Sequence, residues 1–526
     1  MSFTSTLADF GRDERGVFAV MFGLMAIVLV AVGGAVVDYV LLENRRSALQ
    51  ISLDTAALAL QREIRTKSSD QIRASAQGVV DSHGSATGYR AEVVDATIDR
   101  DSGSLRLTAS LEMDTLFVSL VGVPRLGATV QSEVTRKATR IEIAMVLDNS
   151  GSMKEQSRMV RLKEAARNAV DIFLEDSNPA DPRVHVGIVP FTQYVNVGKR
   201  NANEPWIDRF GVSPIAGDNL MIDPQSPVMS YNRLALHNQM GGEGWRGCVE
   251  ARPYPHDTTD TPPTTASPQT LFVPLLAPDE PDRKDWLGRD YFNNNYLTDG
   301  RATCEAPPRW QTWTDRVLQE RMCKYRGATP TNLDMDRAKG PNADCPRNAL
   351  TPLTASKNTL RNAIAAMVPE GGTNIAQGAV WGFHMLTPGA PLAEAKASTP
   401  EQTVNKVMIL MTDGDNFHAA NPNMNGSTYY TAYGYPHNRR LGKPGDSTAE
   451  LQELMDDRLK ETCANTKAAN ITIYTIGLGL SREKTKEMLQ NCSNGGGHWF
   501  LPKEASELNG IFETIANQLS ELRLSR

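Results

Sequence analysis

The chain has no cysteine before residue 248 and no C-x-x-C pair, and its cysteines lack histidines at zinc-finger spacing. Zinc ribbons and fingers are therefore excluded. It also has no G-x-S-x-G, no H-E-x-x-H and no P-loop, so the usual signatures of serine hydrolases, zinc proteases and nucleotide hydrolases are missing. There is no excess of positive charge: 55 Lys and Arg against 61 Asp and Glu leave a formal net charge of -6. With no DNA- or RNA-binding motif either, nucleic acid is not expected as a partner. Finally, no charged residue lies between Arg15 and Asp38.

That last gap is occupied by an apolar run from Val17 to Val37, about twenty residues and long enough to cross hydrocarbon as a helix. Gly23, Gly33 and Gly34 are tolerated in such helices and mark places of close approach. A cleavable signal peptide is the alternative. The length of the run, with no A-x-A-like site passing sharply into loop, favours a retained single-pass anchor. Arg12 and Arg15 before the span are balanced by Arg45 and Arg46 after it, so charge alone does not orient it. All six cysteines follow residue 240. An even count on one side of the anchor predicts disulfides in an oxidising compartment, with buried free thiols as the alternative. The bulk of the chain is thus expected outside the cytoplasm.

Beyond the span, Leu49, Leu53, Ala56, Leu60 and Ile64 recur at three- and four-residue steps and predict that the helix continues with one buried stripe. Between residues 90 and 140 the period changes to two. Leu105, Leu107, Ala109, Leu111 and Met113 alternate with polar residues, which reads as a half-buried strand. The turn Asp101-Ser102-Gly103 joins it to a preceding strand from Val93 to Ile98, and Val130 and Val134 suggest another. This small β-rich module carries no visible chemistry.

The run Ile141 to Leu147 reads as a strand of a mostly buried parallel sheet. It ends in Asp148-Asn149-Ser150-Gly151-Ser152, with a helical stretch from about Ser157 to Asp176. A carboxylate and two hydroxyls, each two residues apart at the C-terminal end of a strand, can turn their oxygens to one point, where open α/β sheets bind ligands. Hard oxygen donors suit Mg²⁺ first, with Mn²⁺ or Ca²⁺ as alternatives. Asp and Ser are also common helix caps and turn formers, so the motif alone leaves capping open.

Asp148-x-Ser150-x-Ser152 after a hydrophobic strand resembles the metal-ion-dependent adhesion site of von Willebrand A domains. That resemblance implies a threonine from a second loop and an aspartate from a third. Gly371-Gly372-Thr373-Asn374 looks like the threonine loop, opening a helix near Ile375. Val407 to Gly414 looks like the strand entering the third loop, with Asp413 in place. The implied metal set is Asp148, Ser150, Ser152, Thr373 and Asp413. In the family one coordination position stays open for an Asp or Glu carboxylate of a protein partner, and displacement of the last helix is coupled to the metal. Val184 to Phe191, Ile471 to Leu478 and a short piece at His498-Trp499-Phe500 read as further strands. Leu508, Phe512, Ile515 and Leu519 mark a final helix. The expected fold class is α/β: a von Willebrand A-type, doubly wound, mostly parallel sheet with large insertions, preceded by one transmembrane helix and the β-rich module.

About 150 residues separate the strand near Phe191 from the helix near Leu360, far beyond an ordinary connection. This insertion holds more than half of the 30 prolines, four cysteines, and Trp206, Trp245, Trp286, Trp310 and Trp313. Its aromatics are expected mainly in a core, and its cysteines allow three pairings. Cys463 and Cys492 flank the strand at Ile471 and read as a separate pair. A shorter insertion from about Asn416 to Ser447 carries Tyr429, Tyr430, Tyr433 and Tyr435. Both insertions are expected to shape the metal-edge face.

Over its whole length the chain resembles the TadG-like proteins of Tad (tight adherence, Flp-type) pilus assembly systems in bacteria. The residues that carry this are Arg15-Gly16, the apolar span, Asp38-Tyr39, Leu49-Gln50 and Asp54 to Ala59. Trp245 to Glu250 and the ending Leu522 to Arg526 add to it. One departure is Met21, where a prepilin-type cleavage site has Glu five residues past the cut. It speaks against cleavage and incorporation as a pilin. The expected organisation is a short cytoplasmic tail (1–16), a transmembrane helix (17–38), and a TadE/G-like helix with the β module (39–137). A von Willebrand A domain follows (138–526), with insertions at about 200–353 and 416–447. The resemblance implies a non-enzymatic adhesion or scaffold protein of the bacterial inner membrane, mostly periplasmic or extracellular, whose partners are pilus-assembly or envelope components. Two other readings remain open: a metal-dependent hydrolase, in which His418 is the nearest candidate base, and an A-domain partner of a chelatase-like ATPase.

Overall fold

The computed structural model describes residues 15–64, 67–87, 90–99, 103–135, 138–175, 182–300, 303–305, 313–331, 333, 339–400, 402–418, 429–442 and 447–524. Most of the expected tail, Asp101 and Ser102 of the expected turn, Trp310, the last two residues and parts of the shorter insertion lie outside them. The chain divides into two compact units, 1–138 with 400–402, and 139–399 with 403–526.

The first unit begins with helix α1 (Arg15–Leu60), whose N-terminal part is long and apolar enough to cross a membrane. Side chains from Val20 to Val32 that would be core elsewhere, such as Leu24, Ile27 and Leu29, are more than half exposed. Its C-terminal part buries Leu49, Leu53, Ala56, Leu60 and the following Ile64, the stripe expected from the spacing. These pack with Ile72, Ala76 and Val80 of helix α2 (Ser69–Thr87) and with Leu105, Leu107, Ala109, Leu111 and Met113. The antiparallel sheet runs β1 (Ala91–Asp99), β2 (Ser104–Asp114), β3 (Arg125–Thr135), with β2 central. The module expected to be β-rich thus also holds a helix. Two glutamines reach from the helices to the sheet's outer strands. Gln77 of α2 accepts from Val93 N at 2.7 Å and donates to Ala91 O at 2.9 Å on β1, while Gln50 of α1 donates to Gln131 O at 3.0 Å on β3.

The second unit is an open α/β sheet. Its framework strands are β4 (Ala138–Asp148), β5 (Val184–Phe191), the two-residue β6 (Val195–Asn196) and β7 (Cys248–Val249), β8 (Thr351–Thr354), β9 (Gln402–Thr412), β10 (Ile471–Gly477) and β11 (Trp499–Phe500). The order is β11-β10-β9-β4-β5, with β8 antiparallel on β5. β4 and β5 are parallel, as are β9, β10 and β11. Counting β4, β5, β8, β9, β10, β11 as one to six gives the spatial order 3-2-1-4-5-6 of a doubly wound sheet. The large insertion leaves β5 through β6 and β7 and returns at β8.

Helices cover both faces because alternate strand residues point to opposite sides. Ile143, Met145 and Leu147 of β4 face α3 (Arg158–Phe173), α4 (Lys357–Ala366) and α8 (Leu508–Leu524), where Leu162, Leu360 and Phe512 complete one core. Ala144 and Val146 face α5 (Ile375–Leu386), with α6 (Thr448–Ala468) and α7 (Glu483–Cys492) on the same side. Helix α5 sits close to the sheet: a Cβ built on Gly378 would lie 2.6 Å from Phe191, and one on Gly382 2.5 Å from Val146. Any side chain at either place pushes the helix outward.

Disulfides close three loops: Cys248–Cys345, Cys304–Cys323 and the expected Cys463–Cys492. Trp206 and Trp245 are core residues of the insertion, but Trp286 is 89% exposed, against the expectation for its aromatics. Tyr430, Tyr433 and Tyr435 are buried and join the two insertions in one hydrophobic cluster with Tyr194, Leu275 and Ala277. Their first role is packing.

Candidate metal centre

Strand order reverses between β4 and β9, the place where open sheets leave a crevice at their carboxyl ends. Asp148 is the last residue of β4 and Thr412 the last of β9. The two are joined by a bond of 2.6 Å from Thr412 Oγ1 to Asp148 Oδ2. Asp148 Oδ1 accepts from the Ser150 amide at 2.7 Å, which curls the loop and turns Ser150 toward Ser152, their hydroxyl oxygens 3.0 Å apart. Ser152 in turn donates to Asp413 Oδ1 at 2.6 Å. A chain of hydrogen bonds thus runs from Thr412 through Asp148, Ser150 and Ser152 to Asp413, across two loops separated by more than 250 residues.

Thr373 comes from the loop that opens α5, where Asn374 caps the helix by accepting from Gln377 N. Backbone bonds set this loop against the first: Gly151 N to Gly371 O at 2.9 Å and Glu370 N to Asn149 O at 2.7 Å. The third loop is tied to it by Phe417 N to Thr373 O at 2.9 Å. A Cβ on Gly414 would lie 3.6 Å from Thr373 Oγ1 and 3.9 Å from Ser152 Oγ. Both hydroxyls therefore border one space that a side chain at 414 would crowd.

The five expected residues converge, and all but Ser152 are buried. Burial, and then the neighbouring Asp413 carboxylate, push the Asp148 carboxyl up to about 7, against the lowering effect of the Thr412 and Ser150 donors. Two carboxylates held this close in a desolvated crevice repel one another, and the remaining donors are hydroxyl oxygens. This set fits a hard divalent cation better than a soft one. Among the described residues no group of three or more His, Cys, Asp or Glu is gathered, so the candidate centre has low anionic charge.

Four supporting residues were not singled out from the sequence. Arg158, the first residue of α3, pairs with Asp413 Oδ2 at 2.7 Å. Thr412 orients Asp148. Gln193 donates to Phe417 O at 2.6 Å and Thr373 O at 3.3 Å, bracing the second and third loops. Asn416 accepts from Ile375 N at 2.8 Å and donates to Asp456 Oδ1 at 2.9 Å, anchoring the third loop to α5 and α6. Asn416 and Thr412 adjoin Asp413 in sequence, which was the available signal. His418 is 1% exposed, and burial pushes its imidazole down to about 4. At neutral pH it is uncharged and shut away from solvent.

A 3-2-1-4-5-6 sheet whose first, second and third site loops lie at its switch point defines a von Willebrand A-type domain. The N-terminal residues 16–62 match the family model described as "Putative Flp pilus-assembly TadE/G-like". With that segment ahead of the A-type domain, the chain is TadG-like in makeup. Comparison with curated proteins returns no match.

Solved structures similar to this chain include the pilus adhesin SpaC from Lactobacillus rhamnosus GG, at 12% identity and TM-score 0.31, covering 82% of this chain and 34% of that one. Another is the vWF domain of the type V pili tip protein Mfa5 from Porphyromonas gingivalis, at 10% identity and TM-score 0.33, covering 73% and 95%. A third is the pilus adhesin RrgA from Streptococcus pneumoniae, at 10% identity and TM-score 0.32, covering 82% and 49%. The chain thus spans about a third of SpaC and about half of RrgA.

Proposed function

We propose that this chain is a membrane-anchored, metal-dependent adhesion or scaffold protein of the cell envelope, serving Flp-type pilus assembly or surface attachment. The observation that carries the reading is the convergence of Asp148, Ser150, Ser152, Thr373 and Asp413 at the switch point of the sheet. Ser150, Ser152 and Thr373 would hold a divalent cation, Mg²⁺ in the first place, through their hydroxyls, with Asp148 and Asp413 supplying negative charge. A cation with so few anionic ligands stays electrophilic and draws in an acidic group from a partner protein. The chain's own residues position and exclude: Thr412 and the Ser150 amide fix Asp148, Arg158 and Ser152 fix Asp413, and burial keeps water from competing for them. The match of residues 16–62 to the TadE/G-like model supports the pilus-assembly setting. Three disulfides support an oxidising one, with the A-type domain on the outer side of the inner membrane.

The test is capture of partners from solubilised membranes by the full chain, with Mg²⁺ or with EDTA, beside the Ser150→Ala variant. A specific set of envelope proteins retained only by the wild type with Mg²⁺ is expected. Equal capture in all arms overturns the proposal.

A further inference from the structure

From Thr115 to Pro124 the connection between β2 and β3 contains no charged residue. Its apolar side chains are open to the surroundings: Leu116 is 67% exposed, Leu120 60%, Val121 59% and Val123 41%. A hairpin connection facing water is normally polar. This one is fastened to the membrane helix of its own unit. Asp38 is fully buried, and its carboxylate accepts the amides of Leu116, Phe117 and Val118 at 3.1, 2.8 and 2.9 Å. These amides lead into the 3-10 helix Val118–Val121. One turn earlier on α1, a Cβ on Gly34 would fall 2.2 Å from the Phe117 side chain. Phe117 fills the notch that this glycine leaves.

Helix geometry gives the depth. A hydrocarbon layer of about 30 Å takes about twenty residues, and counting from Gly16 brings its far edge to about Val36. Gly34 and Phe117 therefore sit at that edge, and Val36, Val37 and Val40 of α1 are 63%, 46% and 50% exposed beside them. Besides Asp38, charge stands at the base of the loop, where Arg125 pairs with Asp114 at 3.2 Å and Glu112 at 3.7 Å. Exposed apolar side chains continue from helix to loop, and the one acidic group between them is covered by backbone amides.

We propose that the β2–β3 connection is inserted into the lipid alongside α1, a second, shallow membrane contact in which Leu116, Leu120, Val121 and Val123 meet the boundary of headgroups and acyl chains. Two attachments, one spanning and one interfacial, fix the tilt and rotation of the N-terminal unit on the bilayer, which a lone helix leaves free. The proposal rests on α1 being the membrane span, so the test monitors both.

The full chain, with single cysteines at Leu120, at Leu29 in mid-helix or at Glu92 on β1, is labelled with an environment-sensitive nitrobenzoxadiazole probe. It is reconstituted in phosphatidylethanolamine–phosphatidylglycerol vesicles, and lipids carrying a nitroxide at shallow or deep acyl positions serve as quenchers. Expected is a blue-shifted emission at Leu120 quenched more by the shallow nitroxide, deep quenching at Leu29, and aqueous emission at Glu92. Lipid quenching at Leu29 with aqueous, iodide-accessible emission at Leu120 overturns the inference and leaves the anchor standing. Blue-shifted emission at Leu120 without lipid quenching also overturns it, because a protein surface then covers the loop. Absence of lipid quenching at Leu29 overturns the anchor itself.

Discussion

Arg158 and Asp413 form a buried ion pair of 2.7 Å in the candidate metal centre, with side-chain exposures of 14% and 0%. The guanidinium already supplies positive charge where a divalent cation is proposed. It holds Asp413 in place and at the same time opposes a second cation. A unit charge and a divalent cation about 5 Å apart repel by about 2 kcal/mol in water-like surroundings and by more where partly buried. Arg158→Gln is therefore expected to bind Mg²⁺ about tenfold tighter by calorimetry and to melt lower without the ion. Unchanged affinity means that the guanidinium does not sense the cation.

In the proposed centre, Asp148 is the residue on which cation uptake is expected to depend most. Asp148→Asn removes a charge while keeping the size of the side chain, so uptake of Mg²⁺, Mn²⁺ or Ca²⁺ by the purified chain is expected to be lost. Thr412→Val deletes the 2.6 Å bond to Asp148. That change is expected to weaken uptake and to cost about 1–2 kcal/mol of stability, seen as a lower melting temperature. Retained binding in Asp148→Asn argues against the centre.

Glu280, in the large insertion, gives a pH dependence of its own. Burial pushes its carboxyl up to about 7, although Asn294 N and the Tyr435 hydroxyl donate to it. A carboxyl raised above its unfolded value holds its proton in the folded state between roughly pH 4.5 and 7. Its favourable contribution is present at low pH and is lost as the pH rises through that window. Glu280→Gln mimics the protonated form. Melting curves should nearly coincide with the wild type at pH 5, and the variant should melt higher at pH 8. A constant difference between the two pH values rules the assignment out.

Removing disulfides should rank by the chain they close. Cys248–Cys345 spans 97 residues and Cys304–Cys323 spans 19. In the chain-entropy view the first contributes about 4–5 kcal/mol and the second about 3 kcal/mol. Paired Cys→Ser changes are expected to lower the melting temperature in that order, by a few degrees per kcal/mol or less. The reverse order would show that local packing around Cys304 outweighs loop length.

Much of this was legible in the sequence. The stripe Leu49 to Ile64 and the alternation at Leu105 to Met113 gave helix and strand because burial imposes those periods. The Asp148, Thr373 and Asp413 loops could be read because each adjoins a strand end or a helix start. Helix α2 was missed: its stripe of Ile72, Ala76 and Val80 contains only one large side chain among small and polar residues. Arg158 and Gln193 carry no local signal, since their partners lie far away in the chain. The same holds for the pairing of Cys248 with Cys345. Trp286 escaped because aromatic content says nothing about which ring ends up at a loop tip.

Gln77 and Gln50 have a consequence for how such chains assemble. An outer strand offers free amides and carbonyls to any extended peptide that passes. Here the two glutamines occupy part of that offer on β1 and β3, and the outer strands of the larger sheet are short, two residues in β7 and β11 and four in β8. Neighbouring copies find little to zip onto, so association by strand donation is disfavoured.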